Sequence, residues 1–258
     1  MDNFASRVAG VFYGGAVAEA AAIKPEGTEF STGTQLSLYV ADGLLEVLEW
    51  AAQGQSADPP AAIWLALLRW YKNRYGTVPD GLPAAPDRRI DDHTISHGEV
   101  DEATKAGLEE PEMGLPRKPH GAEATGTDAL VRAAPLGMLP QVDTDWVIKM
   151  SHQVAVLTHG DWLTPTAYSL LIHHIIQGKT FITGVTDVLA WLSDRDDGAE
   201  LAERIRTSLS EDVTSPTTAQ EVLPAAIRAV ADTLEQAVAP EQLVASAITK
   251  AVNFGGNN

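Results

Sequence analysis

Apolar residues recur at helical spacing along most of the chain, and no segment alternates apolar and polar residues as a half-buried strand would. A clear example lies between Ala61 and Tyr75, where large side chains share one face at i, i+3, i+4 and i+7. These side chains are Trp64, Leu67, Leu68 and Tyr71. The pattern predicts an all-α fold in which this face belongs to the core.

Helix starts and stops divide the sequence into ten predicted helices. Proline or hydroxyl residues mark several starts, and glycine marks several ends. The predicted helices are about Asn3–Ile23, Thr34–Gln53, Ala61–Tyr75, Gly126–Ala134, Asp145–Leu157, Thr164–Ile176, Val185–Leu192, Ala199–Ser210, a helix to Gln236 opened by a Thr217/Gln220 capping box, and Pro240–Asn253. No fixed repeat or composition break separates two cores, so residues 1–258 are predicted to form a single multi-helix domain.

Residues 77–123 break the helical pattern, because they are rich in proline and poor in apolar periodicity. The segment is too long for a simple connection. It is either a functional excursion over one face or partly disordered, and both alternatives stay open. Asp92, His93 and His97 could form a metal site here, but no regular element fixes their geometry.

Composition limits the functional classes. Net charge is −17 and no Lys/Arg cluster is present, which argues against a nucleic-acid partner and against anionic membranes. The chain has no cysteine, which excludes disulfides and thiolate chemistry and suits a cytoplasmic protein. No apolar run approaches the roughly 18 residues that span a bilayer.

One helix start carries the first sign of a family. Ser31 and the neighbouring threonines can cap a helix, and Thr34-Gln35-Leu36 begins its apolar run. Together with Leu38 and the residues 41–45 this segment resembles the ADP-ribosylglycohydrolases. Further segments extend the resemblance in the order of the family. They are Arg7-x-x-Gly10-x-x-x-Gly14, Leu68-Arg69-Trp70, residues 126–137, Leu157-Thr158-His159-Gly160 and residues 251–257.

The resemblance implies an all-α hydrolase fold, with two magnesium ions that orient the ribose and a water. In the family the helix start reads Ser/Thr-Asp-Asp-Thr-Gln, and a second Asp pair lies in a C-terminal Gly-Gly-Asp-x-Asp. Here Thr32 and Gly33 stand at the first pair, and Asn257 at the first position of the second pair. The sequence ends at Asn258, so the last position and the usual C-terminal end are expected to be missing.

Ser31 and Thr32 could offer only neutral oxygens, and such ligands rarely displace the waters of magnesium. We therefore predict that the dinuclear magnesium site is lost and that no cofactor binds. The family's N-terminal helix usually carries Gly-Asp-Ala-Leu-Gly, and at its aspartate the chain has Glu19, one methylene longer.

A pocket for ADP-ribose could be retained even though the metal ligands are lost. The resemblance places ligand-binding residues at Gly126, Thr127, His159, Gly255 and Gly256, although His159 could equally be a core residue. Glycine-rich turns can cradle a diphosphate through backbone N–H groups, while Asp128 would repel it. Glu26 and Glu29 are weak candidates for a catalytic carboxylate, and solvated loop residues are the more ordinary interpretation.

Three hypotheses follow. The first is an inactive pseudoenzyme that binds ADP-ribose or an ADP-ribosylated protein, or that serves as an interaction module. The second is an active hydrolase of ADP-ribosyl bonds in proteins or nucleic acid, which would need Mg²⁺ held by rearranged ligands such as Asp42, Glu29 or Asp128. The third is a truncated product with an exposed apolar groove that drives self-association. The sequence leaves the oligomeric state open.

Overall fold

A computed structural model describes residues 2–23, 30–93, 98–211, 213–236 and 239–255. The structure is 66% helical, and the described residues contain eleven α-helices and no strand. An isolated bridge joins Leu115 and Lys118. The all-α prediction is therefore confirmed. No helix in the described ranges is both long and apolar enough to cross a membrane.

The helices follow one another with short connections except between α3 and α5. Their bounds are α1 Asp2–Ile23, α2 Thr32–Ala52, α3 Pro59–Tyr75, α4 Glu102–Glu109, α5 Asp128–Val131, α6 Thr144–Ala155, α7 Leu163–Ile176, α8 Phe181–Ser193, α9 Ala199–Ser208, α10 Ala219–Glu235 and α11 Pro240–Asn253. Short 3-10 turns span Arg89–Asp92 and Ala134–Gly137.

The segment 77–123 holds one helix that the sequence pattern did not indicate. The helix α4 begins after Asp101, whose carboxylate accepts a hydrogen bond from the N–H of Ala103 at 3.2 Å. Its buried residues, Thr104, Gly107 and Leu108, include only one large apolar side chain. Gly107 sits so close to the backbone of Thr158 that an added methyl group would lie 2.7 Å from the Thr158 Cα. A short helix packed through glycine leaves little apolar periodicity in the sequence.

Two predicted caps lie elsewhere in the structure. The capping box of α10 pairs Thr218 with Glu221, not Thr217 with Gln220, because Glu221 has the acidic oxygens that accept from both backbone N–H groups. At α7 the helix begins at Leu163, before the predicted Thr164. There Asp161 accepts from the Thr164 hydroxyl at 2.7 Å, so an acidic side chain two residues upstream performs the capping.

The core has two large clusters, one around α2, α3 and α6 and one around α7 to α10. Trp146 and Tyr168 pack against both. The first helix, α1, lies on the outside of α7. Arg7 fastens it there by donating to the carbonyls of Ile175 and Ile176 at 3.2 and 3.0 Å, at the C-terminal end of α7.

A buried ion cluster ties the segment after α3 to the core. Arg69 is almost fully buried on α3 and pairs with Asp42, and its Nε lies 3.1 Å from an oxygen of Asp91. Arg88 donates to the same Asp42 at 2.9 Å. The hydroxyl of Tyr39 donates to Asp91 at 2.9 Å. This part of the predicted long loop is therefore an ordered part of the fold.

Candidate functional site

The site begins at the N-terminus of α2, where the sequence resemblance is clearest. Ser31 caps the helix, and its Oγ accepts from the N–H of Thr34 at 3.2 Å, as its position predicted. Gln35 fixes the backbone just before α2, because its side-chain amide donates to the carbonyl of Phe30 at 2.7 Å. Trp70 of α3 donates to Gln35 at 3.1 Å. The Thr-Gln pair thus fixes the helix start against the core.

A carboxylate from α1 completes this cap. Oε2 of Glu19 accepts from the backbone N–H of Thr34 at 2.9 Å and from its hydroxyl at 2.8 Å. Free N–H groups and the positive end of the helix dipole both favour an anion at this place. The negative charge at the helix start is therefore supplied across the site by Glu19, not by the residues at positions 32 and 33.

Gly33 makes this arrangement possible. A methyl group built on Gly33 would lie 2.5 Å from Oε1 of Glu19 and 2.9 Å from a methyl carbon of Val131. Both distances are shorter than real contacts, so any side chain at position 33 would displace the carboxylate. Glu19 and Gly33 are therefore interlocked: the longer acid on α1 fills the space that a side chain on α2 would need.

Asp128, on α5, stands close to Glu19 and repels it. Burial raises the pKa of Glu19 above its usual range, the two hydrogen bonds from Thr34 oppose this, and the charge of Asp128 adds to it. Burial likewise raises the pKa of Asp128, and the neighbouring Asp101 adds to the shift. The backbone N–H of Asp101 donates to Asp128 at 3.2 Å. The site thus gathers acidic side chains that repel one another.

A chain of hydrogen bonds continues from Asp101 into the core. Its carboxylate lies 2.9 Å from Nε2 of His159, and Nδ1 of that ring lies 2.7 Å from the hydroxyl of Thr158. Arg132 donates to the same hydroxyl at 2.6 Å. Because a carboxylate can only accept, Nε2 of His159 is the donor to Asp101, and the Thr158 hydroxyl links the ring to Arg132.

This chain also sets the ionisation of its ends. The hydrogen bond from His159 holds the pKa of Asp101 below its usual range, although burial opposes it. Burial lowers the pKa of the Arg132 guanidinium to about 10, although Asp128 and Asp101 partly offset this. His159 is only 1% exposed. Its position, proposed for ligand binding, is that of a core histidine with both ring nitrogens in hydrogen bonds.

Gly126 lies against the same carboxylate. A methyl group built on Gly126 would fall 1.4 Å from Oδ2 of Asp101, so the glycine is required for the close approach of this acid. Thr127 precedes α5 and makes no side-chain cap bond. The surroundings of Gly126 and Thr127 are thus negatively charged, which opposes a diphosphate at this turn. Their role in binding stays a prediction.

The other predicted residues lie at the far end of the chain or outside the described ranges. Gly255 follows α11 with a φ of 72°, and the N–H of Ser215 donates to the carbonyl of Phe254 beside it at 2.7 Å. This turn rests on the segment before α10. Glu26, Glu29, His97, Gly256 and Asn257 lie outside the described residues, and their predicted roles stay predictions.

The alternative metal ligands have other partners. Asp42 is held by Arg69 and Arg88 in the ion cluster. Asp128 accepts from the backbone of Asp101. Within the ranges that the structure describes, no group of three or more histidine, aspartate or glutamate residues is placed to hold a metal ion.

The residues at the helix start do not fit a two-magnesium site. Magnesium needs oxygen ligands in near-octahedral geometry, and in proteins carboxylates supply the compensating charge. The hydroxyls of Ser31 and Thr34 bond to each other, and that of Thr34 also bonds to Glu19. Thr32 keeps a buried hydroxyl without a partner among the described residues, but one neutral oxygen does not replace an aspartate pair.

Comparison with protein families gives one match. The sequence model of the ADP-ribosylglycohydrolase family matches residues 1–258. Among curated protein sequences none matches the chain. The family match covers the same segments on which the sequence resemblance was built and agrees with the helical architecture.

Proposed function

The chain belongs to the ADP-ribosylglycohydrolase family, and we propose that it is a non-catalytic member of it. In this proposal the helix start that serves metal binding in the family has become a closed structural joint between α1 and α2. The protein then acts by binding, with ADP-ribose or an ADP-ribosylated protein as the ligand that family membership suggests, and not by hydrolysis.

The interlock of Glu19 with Gly33 carries the proposal. A loss of aspartates alone could be repaired by a carboxylate from another element. Here the carboxylate of Glu19 is instead bound to the N–H and hydroxyl of Thr34, and its other oxygen occupies the space beside Gly33. The substitution at position 33 and the longer acid at position 19 therefore support one another as a packing solution.

The charge of the site bears on the ligand. Asp128 faces both Glu19 and Asp101, and Arg132, the described arginine that acts on Asp128, is fully buried. A diphosphate at Gly126 would meet this negative charge directly. We therefore expect ADP-ribose to bind more weakly at neutral pH than at pH 5, where protonation of the raised-pKa acids removes part of the repulsion.

Calorimetric titration with MgCl₂, with and without ADP-ribose, tests the proposal. We expect no saturable heat for Mg²⁺ and no release of ADP-ribose from a modified peptide. Tight Mg²⁺ binding, or Mg²⁺-dependent release of ADP-ribose, would overturn it.

A restoring variant sharpens the test. The triple variant Glu19→Ala, Thr32→Asp, Gly33→Asp removes the blocking carboxylate and supplies an aspartate pair. We expect measurable Mg²⁺ affinity in this variant and none in the matched double variant Thr32→Asp, Gly33→Asp, where Glu19 still occupies the space. Equal Mg²⁺ affinity in the two variants would mean that Glu19 does not block the site.

A further inference from the structure

The outer face of α1 is uncharged and exposed. Ser6, Gly10, Tyr13, Val17 and Ala20 recur at spacings of four, three, four and three, and all are exposed. This is the spacing of a helix seam that meets another helix. We call these five residues the α1 seam.

No charge on the helix points toward the α1 seam. Between Asn3 and Ile23 the only ionisable side chains that bear charge at neutral pH are Arg7 and Glu19. Arg7 donates to the end of α7, and Glu19 accepts from Thr34. In a chain with a net charge of −17, a helix face free of carboxylates is where a second acidic molecule could approach closely.

The glycines of this helix have no close packing partner among the residues that the structure describes. Methyl groups built on Gly10, Gly14 and Gly15 would have no described atom within 4 Å beyond the helix itself. Each glycine within a helix costs about 1 kcal/mol relative to alanine. Since the fold does not need their small size, the glycines point to close approach by a body outside the chain.

An apolar groove runs beside the α1 seam. It has a volume of about 270 Å³ and is lined by Gly14 of α1 together with residues of α10 and α11. The other lining residues are Val230, Thr233, Leu234, Leu243, Val244, Ala247 and Ile248. Of its lining, Val244 is 61% exposed, and Tyr13, which precedes the lining residue Gly14 in α1, is 75% exposed. An exposed aromatic side chain thus lies one residue away in sequence from the lining of an apolar groove.

We propose that this face is a self-association surface, in which the α1 seams of two copies pack antiparallel about a two-fold axis. With the axis between positions 13 and 14, Tyr13 of each copy meets Gly14 of the other and enters the adjoining groove. Val17 then meets Gly10. Each layer places a large side chain opposite a glycine, so the surface is complementary to itself, as a two-fold interface requires.

The size of the surface suits a weak to moderate dimer. The helix has 22 residues and is therefore ~33 Å long. A face ~10–12 Å wide along this length offers about 330–400 Å² per partner, to which the α10 and α11 groove adds, against the ~800 Å² per partner found in stable interfaces. Because both copies are acidic, salt should strengthen the dimer by screening their mutual repulsion.

Sedimentation velocity over a range of protein concentrations tests the proposal. We expect a monomer–dimer equilibrium for the unaltered chain, and at least about thirty-fold weaker association for Tyr13→Asp. Ile182→Asp is the matched control, since Ile182 is 56% exposed on α8, and it should dimerise normally. A chain that stays monomeric at several hundred micromolar and high salt, or an equal effect of both substitutions, would overturn the proposal.

A second variant separates association from folding. Gly10→Leu should raise the melting temperature of the monomer, because leucine favours the helix and the space is open. It should also abolish the dimer by blocking the place of Val17 from the other copy. A stabilised variant that still dimerises would contradict the predicted packing.

Cysteine cross-linking tests the register, since the chain has no cysteine of its own. Under mild oxidation, a mixture of Gly10→Cys and Val17→Cys chains should give a disulfide-linked dimer of one chain of each kind. Either chain alone should give little, because in antiparallel packing equal positions lie apart. Efficient linkage of each chain to itself would indicate a parallel pair and overturn the proposed arrangement.

Discussion

Two clusters of acidic residues lie along the helix α2, and the buried carboxylates in them have different partners. Near the middle of α2, Asp42 is paired with Arg69 and Arg88. At the start of α2, Glu19 meets Asp128, and Arg132, the described arginine that acts on Asp128, is fully buried. The first cluster matches its two buried carboxylates, Asp42 and Asp91, with two arginines, and we call it the balanced cluster; the second holds buried acids, Glu19 and Asp128, whose pKa values are raised by burial.

The difference in charge compensation indicates what each cluster is suited to do. A balanced cluster fastens elements together and has little free capacity for a ligand. A cluster with excess acid in a metal enzyme would be neutralised by the metal. Here hydrogen bonds from Thr34 to Glu19 and from Asp101 to Asp128 take that place. In the proposed non-catalytic role, these acids serve the joint between α1 and α2.

The largest expected effect comes from breaking the balanced cluster. Arg69→Ala would leave Asp42 and Asp91 buried beside one fewer cation and should cost about 3–5 kcal/mol of unfolding free energy. Urea denaturation measures this. Lys72→Ala is a control, because its pair with Asp87 is exposed and should matter little. A loss below about 1 kcal/mol for Arg69→Ala would mean that the cluster is not important for stability.

A smaller effect is expected at the interlock. Gly33→Ala should cost about 1–3 kcal/mol, because its methyl group would press against Glu19 and Val131. The loss should shrink in a Glu19→Ala background, where the closer of the two obstacles is gone. Gly10→Ala is a matched glycine control in an open position and should be neutral or stabilising. Equal losses in both backgrounds would show that Glu19 and Gly33 are not coupled.

Much of the fold could be predicted from sequence, because helix periodicity and caps are local. Ser31 as a cap and Gly76 as the end of α3 follow from residue type alone. The helix α4 was not predicted, because it packs through Gly107 and buries a single large apolar residue. The site was only half predictable. The replacements at positions 32 and 33 are visible in the sequence, but the contact of Glu19 with Gly33 joins distant segments and needs coordinates.

One signal for that contact was present. Glu19 is the only acid within the apolar part of α1, and it stands where the family carries an aspartate. A longer acid at one position can fill the volume left by a glycine at another. A sequence can suggest such compensation, but it does not show which two positions are in contact. The buried Asp101 to His159 chain gave no such signal, because its members come from three separate segments.

The smallest expected effect concerns the pH dependence of the two clusters. The pKa of Glu19 in the folded chain is raised above its ordinary value of 4.5, mainly by burial. The stabilisation from the protonated form is therefore complete below about pH 4.5 and is lost as the pH rises through the folded-state pKa. Glu19→Gln stays neutral, so its stability relative to the unaltered chain should increase from pH 4.5 toward pH 8. Urea denaturation at several pH values measures this difference.

Asp128→Asn serves as the companion variant, because its carboxylate faces Glu19, Asp101, Arg132 and His159. Removing that charge relieves the repulsion of Glu19, so the pH dependence attributed to Glu19 should shift to lower pH. In the balanced cluster, Arg88→Gln should produce no comparable slope between pH 5 and 8, since Arg69 still pairs with Asp42. If Glu19→Gln left the slope unchanged, the excess acid at the start of α2 would be neutralised by a group other than a proton, and a bound cation would become the first explanation to test.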